Sequence, residues 1–264
     1  MTKTLIIIPS QIRGGSKTFS NFKEYILNIN NADLGLFISS DYEHNQYLDH
    51  AKYSFFLPEY HDHRQGLINE LKFLSYDIPN SLTNKDILLD DYQISCIIHV
   101  YYKLFILRML KENNLLDKYD WFIINRSDLL HGKNIDVSLY NTNFIYIPDG
   151  EYYRGLPDRF SIIPRKYIEN WLSIYNPFYF SNIKKIKKGK RKISPEIMVK
   201  NNLDRNRIPY KLIDYTYISI RDCNEKTRNS MGKFNNELSL YVKYNSEYGL
   251  ALKNNSEFNI NKLK

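Results

Sequence analysis

The stretch that most constrains the fold is a run of large β-forming residues followed at once by polar ones. Residues Trp121–Ile124 are bulky and apolar without alternation, which is typical of a strand buried on both faces of a parallel sheet. The polar residues Asn125, Arg126, Ser127 and Asp128 follow directly. Because open α/β sheets bind ligands beyond the carboxyl ends of their strands, these polar residues form a candidate ligand site.

Arg126 and Asp128 are two positions apart, so on an extended chain their side chains face the same way. A cation beside a carboxylate suits a diphosphate and its divalent metal ion. The same two residues can also form a plain salt bridge after a core strand. The four polar residues alone do not distinguish between these two interpretations.

Other segments predict further units of a nucleotide-binding sheet. Thr4–Pro9 predicts a first buried strand, and Asp33–Asp41 predicts a second one that ends in polar residues. The loop after the first strand contains Arg13 and Gly14 but matches neither GxGxxG nor a Walker sequence. Arg13 could therefore reach a phosphate, or the glycines could merely end the strand.

The most regular helical pattern covers Asp90–Asn114, where apolar residues recur at steps of three and four. Its apolar face is broad, so we expect this helix to be nearly buried against the sheet. Lys103 lies within the apolar region. A lysine in such a place either extends outward to water or meets an anion, and both alternatives stay open.

Two later segments concentrate charge beside turn residues. A loop rich in glycine and proline carries Asp149, Glu151, Arg154, Asp158 and Arg159. Catalytic loops have such a composition, and so do ordinary solvated loops. Further on, Ser194 and Pro195 predict the start of a helix, and Glu196 in its first turn can serve the helix dipole alone.

Composition limits the class of protein. The 264 residues carry a formal net charge of +8, which favours phosphate-bearing or anionic partners. Cys96 and Cys223 lie far apart and predict no disulfide framework, and the first apolar run is too short for a signal peptide, so we expect a cytoplasmic protein. His61 and His63 lack the further ligands of a zinc site and predict solvated loop histidines.

Two regions near the end of the chain differ from the rest. Lys184–Lys192 has a cation at seven of its nine positions, which predicts a solubilising loop, or contact with an anionic membrane surface, a phosphate-bearing substrate or nucleic acid. No nucleic-acid-binding motif accompanies it, so we expect no nucleic acid partner. A shift in composition beyond Asp222 divides the chain into a domain of residues 1–222 and an appendage of residues 223–264, loosely ordered or packed on the domain.

Five segments between residues 4 and 221 resemble, in order, those of bacterial and viral glycosyltransferases that build surface polysaccharides on a GT-A-type fold. Ile7–Gly14 is similar to the family pattern G-Q-x-R, and Asn31–Ser40 is similar to ADVFIHTW. Tyr119–Asp128 is similar to YD-apolar-R-x-R-P/S-D. Leu156–Pro164 is similar to NDQFAIG, and Ser194–Glu196 is similar to HPE. The chain departs from these patterns at four places, where Arg126 replaces the first acid of a DxD motif, Arg159 a glutamine, Ser194 a histidine, and Ser39–Ser40 a Thr-Trp pair.

The resemblance implies an α/β fold class, with a GT-A-like, Rossmann-type nucleotide-sugar-binding fold whose mostly parallel central sheet is flanked by helices. It implies transfer of a sugar from a nucleotide-diphosphate sugar to a hydroxyl of a bacterial surface glycan, such as lipopolysaccharide or capsule. The acceptor would be a glycan or lipid-linked glycan. The protein would then be cytoplasmic, with peripheral attachment to the inner membrane face through Lys184–Lys192 as a further expectation.

The resemblance also suggests roles for individual residues. The predicted donor-binding residues are Gln11, Arg13, Gly14, Lys103, Arg126 and Asp128, with Arg13 and Arg126 neutralising phosphate. Asp128 would hold Mn²⁺ or Mg²⁺. If the reaction inverts configuration, the acceptor hydroxyl needs a carboxylate base, for which Asp158 is the first candidate, followed by Glu151 and Glu196. A structural salt bridge is an equal alternative for each of these three carboxylates.

Two other classes of function stay open at this point. Arg126 in place of the first acid of a DxD motif also suits a non-catalytic protein of the same fold that binds a nucleotide sugar or a glycan. A scaffold on the membrane surface, held by the basic run Lys184–Lys192, is the other alternative.

Overall fold

The computed structural model describes residues 2–9, 11–39, 45–150, 152, 154–181, 194–214, 217–221, 232–236 and 238–254. The sequence predictions for Ser40, Asp41, Glu151, Lys184–Lys192 and Cys223 therefore lie outside the described residues.

The central element is a seven-stranded sheet. Its strands are β1 (Thr4–Pro9), β2 (Asp33–Ser39), β3 (Tyr53–Leu57), β4 (Trp121–Asn125), β6 (Ile145–Pro148), β7 (Phe160–Pro164) and β8 (Tyr210–Ile213). They lie in the order β3-β2-β1-β4-β7-β6-β8, and β7 runs against the other six. The predicted α/β class with a mostly parallel central sheet is thus confirmed.

Both faces of this sheet are covered, which explains the unbroken apolar runs in its central strands. In β1, Leu5 and Ile7 belong to one hydrophobic core, and Ile6 and Ile8 belong to a second core on the opposite face. All four side chains are fully buried. A strand with water on one face would have shown alternation instead.

Helices form the two outer layers. The described helices are α1 (Gly15–Phe22), α2 (Gln46–His50), α3 (His63–Phe73), α4 (Asn80–Thr83), α5 (Asp91–Glu112), α6 (Ile168–Leu172), α7 (Pro177–Ser181), α8 (Pro195–Arg205) and α9 (Asn245–Asn254). Buried residues of α3, α5, α6 and α8 share the core of Leu5 and Ile7. Those of α1, its π-helical continuation Lys23–Leu27 and α2 share the core of Ile6 and Ile8.

Helix α5 confirms the strongest helical prediction. Its start is fixed by a capping box, in which Asp90 accepts from the Gln93 backbone N–H at 2.8 Å and Gln93 accepts from the Asp90 N–H at 3.0 Å. By length and composition α5 could cross a membrane, but 67% of its apolar window is buried inside the protein. Burial of this kind is what a core helix requires, so the apolar window is weak evidence for a membrane span.

A second, antiparallel sheet lies beside the carboxyl end of β4. Its strands are β5 (Leu129–His131), β9 (Tyr217–Arg221), β10 (Lys233–Asn235) and β11 (Leu240–Val242), in the order β10-β11-β9-β5. Leu130, Ile218, Val242 and Ala251 of α9 are part of its own small core. The described part of the C-terminal region therefore packs on a strand that follows directly from β4, while the predicted boundary at residue 222 stays a prediction.

Candidate active site

A cleft of about 1510 Å³ opens at the edge of the central sheet where β1, β2 and β3 end. Their last residues, Pro9, Ser39 and Leu57, line it, and so does Arg126 immediately after β4. Ligands of open α/β sheets bind at this edge because the loops that follow parallel strands converge there. The cleft is large enough for a nucleotide and a sugar together.

The structure brings most of the predicted site residues to this one cleft. Gln11, Arg13, Lys103, Arg126, Asp158 and Glu196 all line it. Gly14 and Asp128 are buried and are not among the lining residues, and Glu151 is outside the described residues. Their roles stay predictions, but their convergence from five separate segments of the chain is a property of the fold.

The loop after β1 is tied to the loop after β4. The Arg13 backbone N–H donates to Ser127 Oγ at 2.9 Å, and that hydroxyl donates to the Gln11 carbonyl at 3.2 Å. The Arg13 guanidinium in turn donates to Gln11 Oε1 at 2.8 Å. Gly14 permits this path because it has a φ of 83°, and a Cβ there would lie 2.4 Å from Thr18 Cγ2.

Asp128 is held between two guanidinium groups. Its carboxylate is 1% exposed, accepts from Arg126 Nε at 2.9 Å, and also accepts from Arg221 Nη1 of β9. Burial alone would raise the pKa of the Asp128 carboxyl, but the two guanidiniums outweigh burial and hold that pKa well below its usual range. Asp128 is therefore ionised, and its charge is already balanced by two side chains of the protein, Arg126 and Arg221.

This arrangement does not fit the metal role predicted for Asp128. A bound Mn²⁺ or Mg²⁺ needs carboxylate oxygens that are free to coordinate it, whereas the oxygens of Asp128 face Arg126 and Arg221. Within the part of the chain that the structure describes, no group of three or more His, Cys, Asp or Glu residues could hold a metal ion. The physical reason is that both carboxylate oxygens of Asp128 already accept hydrogen bonds from guanidinium groups, Oδ1 from Arg126 and Oδ2 from Arg221.

The second sheet adds cations to the cleft that the sequence analysis did not identify. Arg221 and Lys243 line the cleft together with Tyr244. Burial and the charges of Arg126 and Arg221 lower the pKa of the Lys243 ammonium to about 8. Lys243 follows an apolar strand in a region of featureless composition, so the sequence around it carries no signal of a site.

Arg159 joins the second sheet to the cleft floor. Its guanidinium donates to Ser219 Oγ at 2.9 Å and pairs with Glu247 of α9, and both side chains are buried. Burial opposes the charge of this guanidinium, but Tyr217 and Glu247 keep the Arg159 pKa above its usual value. Since Arg159 begins the segment that leads into β7, this pair anchors α9 beside the cleft.

Asp158 lies beside a histidine that the sequence analysis also overlooked. Asp158 Oδ2 lies 3.4 Å from His99 Nδ1 of α5. Burial would raise the pKa of the Asp158 carboxyl, but His99, Lys103 and Arg126 outweigh it and lower that pKa. His99 lies one helical turn before Lys103, a placement visible only once the helix is known to face the cleft.

The pKa of Glu196, in the first turn of α8, shifts in the direction opposite to that of Asp158. Burial and the negative charge of Asp158 raise the pKa of the Glu196 carboxyl. Lys103 lies with its ammonium 4.8 Å from the centre of the Trp171 ring, and burial lowers the pKa of this ammonium against the attraction of Asp158. Two carboxyl groups with divergent pKa values in one cleft are the usual setting for acid and base roles.

The wall nearest β2 and β3 is aromatic and polar. Tyr60, Tyr101 and Tyr102 line it, and Ser39 Oγ donates to Glu59. His61 and His63 also line the cleft, and His63 is the first residue of α3, so the prediction that both histidines lie in solvated loops is wrong for His63. Such a wall can stack a flat ring and hydrogen-bond a sugar hydroxyl.

Comparison with known proteins finds similarity to solved structures but no match by sequence. No protein-family model matches the chain, and no curated protein matches its sequence. Among solved structures, the chain is similar to a glycosyltransferase involved in the glycosylation of the major capsid of PBCV-1, with 11% identity, 80% of this chain and 81% of the other covered, and a TM-score of 0.39. The central sheet itself is consistent with the GT-A-like fold that the sequence resemblance implies.

Proposed function

We propose that this protein is a glycosyltransferase that moves a sugar from a nucleotide-diphosphate sugar to a hydroxyl of a glycan acceptor. One observation carries the proposal. The cleft at the carboxyl edge of the parallel strands is lined by the cation Arg126 and by the carboxylate–histidine pair Asp158–His99, and Arg126 and Asp158 are close enough for their charges to interact. Group transfer from a diphosphate needs both, because the leaving group gains negative charge while the acceptor loses a proton.

The donor is expected to lie along the ends of the parallel strands. Its nucleoside would contact the wall of Tyr60, Tyr101 and Tyr102 beyond β2 and β3. Its diphosphate would then reach Arg13 and Arg126, whose guanidiniums can each form paired hydrogen bonds with phosphate oxygens. This order is suggested by two proximities, since the charge of Arg13 acts on Tyr102 and the charge of Asp158 acts on Arg126.

The chemical step follows from that placement. The acceptor oxygen forms a bond to the anomeric carbon, and the bond from that carbon to the diphosphate oxygen breaks. The hydroxyl proton passes to Asp158 or to His99, which Asp158 orients, and the electron pair of the broken bond stays on the diphosphate beside Arg126. Glu196 lies nearby with a raised pKa and can position the acceptor by hydrogen bonds.

For the acceptor, the proposal is a bacterial surface glycan such as lipopolysaccharide or capsule, met at the inner face of the membrane. The sequence resemblance supports this choice, and so does the basic run Lys184–Lys192, which suits an anionic lipid surface. Co-sedimentation with vesicles containing anionic lipid, lost when that run is neutralised, tests the membrane part separately.

A thermal-shift screen tests the proposal, using a panel of nucleotide sugars and the matching nucleotides. A ligand that binds only the native state raises the melting temperature by mass action, so at about 100 times its dissociation constant it adds about 2.7 kcal/mol. We expect one class of nucleotide sugar to stabilise the protein. If a nucleotide sugar binds but is neither hydrolysed nor transferred with any acceptor, the protein is a binding protein of the same fold rather than an enzyme.

A further inference from the structure

The carboxylate predicted to hold a metal ion, that of Asp128, is paired instead with cations of the protein. Arg126 and Arg221 share the carboxylate of Asp128, and Lys243 lies close enough to both guanidiniums that their charges lower its pKa. Arg126, Arg221 and Lys243 all line the cleft, whereas Asp128 is buried and is not among the lining residues. Arg126 and Lys243, which are less buried than Arg221, can therefore offer positive charge to a ligand.

Positive charge in this part of the cleft exceeds the negative charge that supports it. Asp128 offsets one of the two arginines that contact it, and Glu247 offsets Arg159. Asp158 attracts both Arg126 and Lys103, so its single charge offsets only one of these two cations. Around Arg126 and Lys243 this leaves an excess of positive charge in a half-buried place, which is unfavourable unless an anion binds there.

Lys243 is held in place by the second sheet. Its backbone N–H donates to the Ser219 carbonyl at 2.9 Å, and the Ser219 backbone N–H donates to Glu247 at 3.1 Å. Its side chain lies against Tyr244, with Nζ 4.9 Å from the ring centre. A lysine fixed by a sheet and an aromatic ring loses little conformational freedom when it binds a ligand, which favours binding.

We infer that Arg126 and Lys243, backed by Arg221, form a diphosphate-binding site that works without a divalent metal ion. The inference deepens the proposed glycosyltransferase function and rests on it for the identity of the natural ligand. The fixed cations would neutralise the leaving diphosphate as a metal does elsewhere. The C-terminal hairpin of β10 and β11 is then part of the donor site, because it delivers Lys243.

Isothermal titration with inorganic pyrophosphate tests the site without a choice of nucleobase. The protein is titrated in EDTA and again with added Mn²⁺, and Lys243→Gln is compared with Lys233→Gln. Lys233 lies on the same hairpin and is exposed, so its replacement removes the same charge outside the cleft. Lys243→Arg serves as a second variant that retains the charge.

We expect pyrophosphate to bind in EDTA with an affinity that Mn²⁺ changes by less than about threefold. Loss of a cation that contacts the anion should weaken binding by about tenfold or more in Lys243→Gln, while Lys243→Arg and Lys233→Gln stay near the wild-type value. Unchanged melting curves in the absence of ligand establish that each variant is folded.

The possible failures separate the inference from the proposed function. Binding that requires Mn²⁺, or an equal effect of Lys243→Gln and Lys233→Gln, overturns the inference and leaves the transferase proposal standing. Metal-free pyrophosphate binding that depends on Lys243, without binding of any nucleotide sugar, supports the site and counts against the transferase. No binding of pyrophosphate or of any nucleotide sugar under either condition overturns both.

Discussion

The environments of Asp158 and Glu196 shift the pKa values of their carboxyl groups in opposite directions. Cationic neighbours keep Asp158 ionised, whereas burial and the charge of Asp158 favour the protonated form of Glu196. Asp158 is thus ionised and can direct or accept a proton, and the side chain of His99 beside it is the more exposed of the two, at 40%. Because Asp158 is 8% exposed, an acceptor hydroxyl meets His99 more easily than Asp158 itself.

Replacing Asp158 by Asn tests this role. The amide keeps the shape but cannot take a proton, so sugar transfer should fall by about 10²- to 10⁴-fold while donor affinity changes little. Initial rates and calorimetric donor binding measure the two effects. Asp117→Asn, at an exposed position, is the matched control and should behave as wild type.

His99 should act with Asp158 as one unit. We expect the double variant Asp158→Asn, His99→Gln to transfer sugar about as slowly as the slower single variant. When two groups act as one unit, removing either group already removes most of their joint contribution to the rate. Effects that multiply would show that the two residues act independently. Loss of donor binding in Asp158→Asn would instead assign Asp158 to the donor.

Lys243 makes anion binding depend on pH. Its pKa is near 8 rather than 10.5, because of burial, Arg126, Arg221 and Arg159, against the opposing charge of Asp128. Below pH 8 the ammonium is charged and can bind an anion, and above pH 8 it loses that charge. We expect the ratio of pyrophosphate affinities, wild type over Lys243→Arg, to fall between pH 7 and pH 9.5. A ratio that stays constant would mean that Lys243 does not contact the anion.

Among the structural elements, the start of α8 depends on one glycine. The Gly155 position is so close to α8 that an added Cβ would lie 2.0 Å from the Glu196 carbonyl carbon. The Leu156 N–H also donates to the Glu196 carbonyl at 3.0 Å, which joins the charged loop to the helix. The distance between Asp158 and Glu196 is therefore set by the backbone, and their opposed pKa shifts depend on it.

Gly155→Ala should push α8 away from this loop. Overlap with the backbone cannot be relieved by a side-chain rotation, so we expect a loss of stability of about 1–3 kcal/mol and a clear loss of transfer. Gly150→Ala is the matched control in the same loop, because nothing lies within 4 Å of its added Cβ. Denaturant unfolding and transfer rates measured on both variants would contradict this account if the two behaved alike.

In the molecule as a whole, the sequence predicts those strands and helices that are marked by a pattern of neighbouring residues. The run Trp121–Ile124 predicts β4 because a strand buried on both faces is apolar without alternation, and α5 is predicted by the spacing of its apolar residues. The cap of Ser194 and Pro195 likewise marks the start of α8. These are the elements that place Arg126, Lys103 and Glu196 at the cleft.

What the sequence does not predict is the set of partners that the fold brings from far along the chain. Arg221 lies 93 positions from Asp128, and its ion pair turns a predicted metal ligand into a support for arginines. Lys243 and His99 have no local pattern that marks a site. Helix α3 was not predicted either, because it begins with the polar run His63–Gln65 and its buried residues begin only at Gly66.

Arg126 is expected to bind the diphosphate of a nucleotide sugar in this cleft. The most direct test is calorimetric titration of the stabilising nucleotide sugar into wild type, Arg126→Gln and the control Arg165→Gln, whose arginine is exposed and pairs with Asp117. The account predicts that Arg126→Gln weakens binding by about tenfold or more and that Arg165→Gln leaves it unchanged. Equal affinity in all three proteins would contradict it.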